Sequence, residues 1–282
     1  MTCLIRNSER AETQSMSCGT GRMSESALLP EAAGETTSEF MTASERLMKL
    51  AVLDVDGTLL PGALGLDLAH ALAKDSSFDL GTLADIMAHY QHGAISHTAM
   101  TLYAHRVFRE TFAGLSEEHV ASRAEQVWCR ARQRVFPYAR PALAALQQAG
   151  YEIWLISGSP AVSVRMAALD LGVSHWRGTE LTVREGRYTG EVTSTPALVG
   201  GKRRAFFDLL SRVQGRRVDV GRSLAVGTAP IDIEVFHLVG HPVVFEPDPD
   251  LDAITRTHLW PVVDQSTAYD ALTTLVRALD PL

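Results

Sequence analysis

The stretch Leu50-Ala-Val-Leu-Asp54-Val-Asp56-Gly-Thr58-Leu-Leu60 decides the fold. Four apolar residues run unbroken into Asp54, which reads as a buried strand opening into a polar loop. Asp54 and Asp56 stand one residue apart where that strand ends. Two carboxylates this close repel each other unless a cation or a shared proton lies between them. A turn or a helix cap accounts for a single aspartate after a strand; it accounts poorly for a pair.

Working outward from this stretch, further apolar runs end in the same way. Tyr151 to Ile156 leads into Ser157-Gly-Ser-Pro160, Ser223 to Val226 into Gly227-Thr-Ala-Pro230, and Pro242 to Phe245 into Glu246-Pro-Asp248. Helix-like stretches lie between them at 139–149, 161–171, 202–213 and 231–238. Strands alternating with helices predict an α/β fold, a doubly wound and mostly parallel Rossmann-like sheet. Ligands bind such sheets beyond the carboxyl ends of the strands, where these polar loops lie. Residues 180–192 alternate about Glu185-Gly186, which predicts a hairpin.

Two regions depart from the alternation. Residues 63–136 read as wholly helical, with helices expected at 80–91, 98–112 and 117–135, and so as an all-helical cap inserted behind the first loop. The core is then 47–62 plus 137–282. Residues 1–46 hold 13 Ser or Thr, seven Glu, four Arg and one aromatic, Phe40. Such a segment buries too little apolar surface to offset its ordering entropy, so a disordered tail is expected.

Composition narrows the function. The 282 residues carry a net charge of -7, from 33 acidic and 26 basic side chains, which argues against a dedicated nucleic-acid binder. No apolar run approaches the roughly 18 residues of a membrane span, and the N-terminus lacks a secretory pattern. Cys3, Cys18 and Cys129 are scattered and odd in number, which disfavours a disulfide framework. A cytoplasmic protein with no membrane partner is expected, its oligomeric state left open.

Asp54-Val-Asp-Gly-Thr58-Leu-Leu60 resembles the first motif of the haloacid dehalogenase superfamily, mostly phosphatases that work through an aspartyl-phosphate. Leu155-Ile-Ser157-Gly-Ser-Pro160 is similar to the second motif and Gly200-Gly-Lys202-Arg to the third. The insertion after the first motif, the hairpin, and the run from Glu246 to Val263 resemble the phosphoserine-phosphatase-like branch. The resemblance implies that Asp54 is the nucleophile and Asp56 the general acid and base. It implies that Thr58, Ser157 and the Gly158 amide hold the phosphoryl group, and that Lys202 supplies a fixed positive charge. Mg²⁺ would be held by Asp54, the Asp56 carbonyl and Asp232.

The residue types suit that chemistry. A carboxylate nucleophile splits phosphate-ester hydrolysis into two easier displacements, and phosphoryl transfer needs charge stabilisation above all. Lys202 is one of only three lysines among 23 arginines, so a compact ammonium stands here in a chain that otherwise uses Arg.

One position departs from the family. Where it writes Gly-Asp in the fourth motif, this chain has Gly227-Thr228, four residues before Asp232. A hydroxyl is a poorer Mg²⁺ ligand than a carboxylate. The expected function is therefore a Mg²⁺-assisted phosphomonoester hydrolase acting on a small phosphorylated metabolite. The alternatives are a protein that binds a phosphorylated ligand or partner without turnover, or a phosphotransferase. The cap holds His70, His89, His92, His97, His105 and His119, with Tyr103, Arg106 and Arg109 as candidates to meet an anionic substrate. No acid lies between Pro61 and Leu66, which argues against phosphoserine.

Overall fold

The computed structural model describes residues 47–74, 85, 88–89, 94–213 and 215–280. The tail expected at 1–46 and most of the helix expected at 80–91 lie outside them. The architecture is a seven-stranded sheet in the order β4-β3-β2-β1-β5-β6-β7, with helices on both faces. Its strands are β1 (Lys49–Leu53), β2 (Tyr151–Pro160), β3 (His175–Arg184), β4 (Arg187–Ser194), β5 (Leu224–Gly227), β6 (His241–Phe245) and β7 (Val262–Val263). All neighbours are parallel except β3 and β4, which form the antiparallel hairpin expected from the alternation at 180–192.

The strand that ends at Asp54 lies at the centre. Val52 pairs with Trp154 of β2 on one side and Ala225 of β5 on the other. Its side chains alternate between two cores, as a two-residue period requires. Ala51 and Leu53 join one cluster, while Leu50 and Val52 join Trp154, Phe206 and Phe236 in the other. Fully burying a leucine contributes about 1.5–3 kcal/mol, and both faces of β1 collect it. The period therefore holds the Asp54 end of the strand in register.

Helices α1 (Leu64–Ala73), α2 (His97–Phe112) and α3 (Glu117–Ala131) follow β1 before the chain returns through α4 (Ala139–Gln148). Their apolar faces, including Leu64, Leu68, Val107, Phe112, Val120 and Trp128, belong to the same cluster as Ala51 and Leu53. Helix α2 also lies along β4, with Phe112 edge-on to Tyr188 at 5.2 Å between ring centres. Among the described residues the remaining α-helices are α5 (Ala161–Asp170), α6 (Gly201–Arg212), α7 (Ile233–Phe236), α8 (Pro249–His258) and α9 (Ala268–Leu279).

Two local readings change. β2 runs to Pro160 through the Ser157-Gly-Ser stretch expected as loop, because β3 pairs alongside it, with a register shift between Ile156 and Pro160. The helix expected at 231–238 is a 3-10 turn over Pro230–Asp232 followed by the short α7. No described helix is long and apolar enough to cross a membrane.

Candidate active site

Asp54 emerges at the carboxyl end of β1, 8% exposed, with its amide on the Val226 carbonyl at 3.0 Å. The chain turns tightly beyond it, so that the Val55 carbonyl accepts from the Thr58, Leu59 and Leu60 amides at 3.3, 2.9 and 3.3 Å. Gly57 makes this turn at φ +76°, where a side chain would be strained and a Cβ would lie 2.9 Å from the Thr228 methyl. Thr58 is wholly buried, its carbonyl held by the Tyr138 hydroxyl.

Asp56 faces away from Asp54, toward the start of α1 and the end of β2. Its Oδ1 accepts the Leu64 amide at 2.6 Å, and its Oδ2 accepts the Ser157 and Ser159 hydroxyls at 2.8 and 2.7 Å. Ser159 Oγ in turn accepts the Gly65 amide at 2.7 Å, so one hydroxyl ties the acid, the strand and the helix together. Burial pushes the Asp56 carboxyl above its ordinary value, and the Leu64 amide and the two serines pull against that shift.

Lys202 enters from the first turn of α6, only 2% exposed. Gly201 before it is needed because a Cβ there would lie 2.2 Å from the Thr195 carbonyl. Lys202 Nζ lies 3.0 Å from Asp54 Oδ1 and is paired with Asp232 Oδ1. Burial alone would lower its pKa; Asp232 and Asp54 outweigh burial and hold it above the ordinary lysine value. The Asp54 carboxyl is raised to about 7, first by burial, against Lys202 and with Asp232 and Asp56 adding repulsion. Asp54 Oδ1 also lacks a well-aligned hydrogen bond despite its closeness to Lys202.

Asp232 was the third expected metal ligand. It spends Oδ1 on Lys202 and Oδ2 on the Thr228 and Ala229 amides, both at 3.0 Å. Thr228 turns its hydroxyl outward to the Glu246 carbonyl at 2.9 Å and its methyl toward Gly57. Two buried acids, Asp54 and Asp232, flank the one ammonium with the half-buried Asp56 nearby, an excess of two negative charges if all are ionised. A divalent cation suits that excess. Among the described residues no three His, Cys, Asp or Glu side chains are arranged to hold a metal. Mg²⁺ commonly takes one or two carboxylates and fills its shell with water and substrate phosphate, so the groups that could hold it here are the Asp54 carboxylate and the Asp56 carbonyl.

A cavity of about 340 Å³ opens over this cluster. Asp54, Asp56, Gly158 and Lys202 line it. Thr58 and Ser157 are wholly buried and do not line it, and Asp232 stands behind Lys202 beside a small void. Ser159 and Asp248 also line the cavity, and neither was singled out from the sequence. Glu234 was missed too: it accepts the Gly200 and Arg203 amides and so caps α6 beneath Lys202.

The cap candidates separate. His105 lines the cavity with its Nε2 3.0 Å from Thr195 Oγ1, and burial lowers its pKa, keeping the ring neutral. Thr195 and Thr179 share a hydrogen bond at 2.8 Å, and Thr179 donates to the Gly158 carbonyl at 2.6 Å. Arg106 and Arg109, candidates to meet an anionic substrate, line a different surface hollow with Arg184 and Glu191. Their long side chains leave α2 on the face that looks toward the hairpin. His70 is exposed, the His89 ring bonds the Asp85 carbonyl, and His92 lies outside the described residues.

Residues 51–237 match the haloacid dehalogenase-like hydrolase family. A histidinol-phosphatase of Neisseria meningitidis serogroup C is 25% identical over 228 residues, covering 77% of this chain and 99% of that protein. A phosphoserine phosphatase of Streptomyces coelicolor is 28% identical over 206 residues, 72% of this chain and 45% of the longer relative. Among solved structures, a Bordetella pertussis Tohama I protein of unknown function shares the fold with a TM-score of 0.64 at 23% identity, covering 78% of this chain and 100% of that one. With the motif residues meeting at the ends of β1, β2 and β5, and with a match across most of its length, the chain belongs to the haloacid dehalogenase-like hydrolase family.

Proposed function

We propose that the protein is a phosphatase that hydrolyses a small phosphomonoester through an aspartyl-phosphate on Asp54. The observation that carries this reading is the separation of two neighbouring carboxylates into different surroundings. Asp54 faces the buried Lys202 ammonium, while Asp56 sits among hydroxyls and an amide at the start of α1. Neighbouring acids held in unlike environments suit unlike roles.

In the first displacement an Asp54 oxygen bonds to phosphorus as the ester bond breaks, and Asp56 gives its proton to the departing oxygen. In the second, Asp56 takes a proton from a water whose oxygen bonds to phosphorus, and the bond to Asp54 breaks to release phosphate. The raised affinity of Asp56 for its proton suits the acid role. Lys202 keeps a positive charge beside Asp54 throughout, fixed by Asp232. The Gly158 amide would donate to the phosphoryl oxygens, a role supported by the place of Gly158 in the cavity lining. Mg²⁺ on the Asp54 carboxylate and the Asp56 carbonyl would offset the excess negative charge and draw the phosphate oxygens inward. Asp232 is then the counter-ion of Lys202 rather than an open ligand.

The test is phosphate release from simple phosphomonoesters with Mg²⁺, comparing the native protein with Asp54→Asn and Asp56→Asn. Both variants should lose at least about a hundredfold in kcat; native-like turnover by Asp54→Asn overturns the reading. A second reading, ligand binding without turnover, is favoured by one observation, the Thr228 hydroxyl turned to the Glu246 carbonyl. Thr228→Asp separates the two. It should tighten Mg²⁺ binding in calorimetry, and if phosphatase activity then remains absent, the binding reading gains.

A further inference from the structure

The cavity above Asp54 has two unlike ends. At the sheet end lie the carboxylates and Lys202. At the helix end α2 presents Met100, Ala104 and Phe108, spaced by four residues and so on one face, with Leu66 of α1 beside them; Thr101 and His105 of α2 add one hydroxyl and one imidazole to the lining. Phe108 is fixed in place. A Cβ on Gly65 would lie 2.8 Å from its ring, and Phe112 holds it edge-on at 6.4 Å between centres. Ile231 lines the same space from the loop after β5.

Of the titratable groups near this end, His105 lines the cavity with its Nε2 on Thr195 Oγ1 at 3.0 Å, and the charged ones are turned elsewhere. Asp67, the first acid after the Asp56 loop, is ion-paired with Arg134 and does not line the cavity. Arg106 and Arg109 line the separate hollow beside the hairpin. Lys202 is taken up by Asp54 and Asp232. Asp248 does line the cavity, but its amide is bonded to the Thr228 carbonyl at 3.0 Å and its Oδ1 caps α8 at the Leu251 amide, which keeps it at the sheet end. Among the described residues, then, an ammonium on the organic part of a substrate would meet no acid at the helix end, and a carboxylate would meet no cation. Burying either one unpaired is costly.

We infer that the phosphomonoester taken by this cavity carries an uncharged, largely apolar organic group, such as an alkyl or arylalkyl chain, rather than an amino acid or amino alcohol. The organic group lies against Leu66, Met100, Ala104 and Phe108 while the phosphate meets Asp54 and the Gly158 amide. This rests on the phosphatase reading and narrows it to a substrate class. Apolar contact supplies affinity roughly in proportion to the area covered, and a pocket without a charge partner discriminates against charge by desolvation.

The experiment uses ester pairs with similar leaving alcohols: propyl phosphate against 2-aminoethyl phosphate, and 2-phenylethyl phosphate against O-phospho-L-serine. Phosphate release with Mg²⁺ should favour the uncharged member of each pair by about tenfold or more in kcat/KM. Met100→Glu, which sets an acid on the α2 face, should move the preference toward 2-aminoethyl phosphate. Met100→Gln, of the same length without the charge, should weaken the apolar preference and gain nothing for the ammonium. Equal or better use of the charged esters by the native protein overturns the inference while leaving the phosphatase reading standing. Should no ester be hydrolysed, that reading fails by itself, and calorimetry of the same esters then decides the inference. Tighter binding of the uncharged esters upholds it; equal binding, or none, overturns it.

Discussion

Asp54 is the residue under greatest tension, because it is buried between repelling acids and a single ammonium. Its folded pKa of about 7 stands above the ordinary 3.8, so the native state holds a proton that the unfolded chain gives up. Its contribution to stability is present below the ordinary value and is lost as pH rises toward about 7. Metal-free protein should therefore show a melting temperature that falls across that window. Asp54→Asn should flatten the fall and raise the melting temperature near neutral pH by about 2–4 °C, measured by calorimetry in chelator; an unchanged pH profile contradicts the electrostatic account. Ser159 gives the second test at this scale. Ser159→Ala removes a donor from Asp56 and the acceptor of the Gly65 amide. It should lower kcat/KM by about tenfold and move the alkaline limb of the pH–rate profile upward, since Asp56 then holds its proton more tightly. A loss of activity with no shift in that limb would make Ser159 merely structural. Ser157 was legible from its motif and Ser159 was not, although their spacing of two along a strand places both on one face. The missing signal was that the strand continues through them, which only pairing with β3 decides.

At the level of elements, the site depends on two close approaches. Helix α1 reaches β2 and α2 only because Gly65 lacks a side chain, with Pro160 Cδ 2.6 Å from where a Cβ would stand. Gly65→Ala should cost about 1–3 kcal/mol in chemical denaturation, and a neutral outcome would mean that this packing is looser than described. Helix α6 delivers Lys202 into a slot closed by Asp54 and Asp232. Lys202→Met leaves those acids uncompensated and should destabilise by about 3–5 kcal/mol. Adding Asp232→Asn should recover part of that loss, whereas a further loss in the double variant would contradict the ion-pair account. The positions of β1, β2 and β5 were readable because short apolar runs ended in polar, glycine-containing loops, and that of β6 because its apolar run stops at Glu246-Pro-Asp. The side-chain directions of Thr228, Arg106 and Arg109 were not readable, since they follow from contacts with Gly57, the Glu246 carbonyl and the hairpin, all distant in sequence.

Across the whole molecule, one sheet joins two apolar clusters, and the helices inserted after β1 share the first of them. That sharing could not be read from residues 63–136 alone, because a helical period shows which face is buried and not what it is buried against. Residues 1–46 carry no apolar period, so a chain beginning at Met48 should keep its melting temperature within about 2 °C and retain its activity. A large loss of either would show that the segment packs on the domain. The central claim is that Asp54 forms the covalent intermediate. Its most direct test is rapid acid quench of the enzyme with excess phosphomonoester and Mg²⁺, followed by peptide mass analysis. A phosphoryl group on Asp54, absent from Asp54→Asn and decaying as phosphate appears, is the predicted result. Phosphate released at full rate with no phosphorylated Asp54, or with the label on another residue, would contradict it.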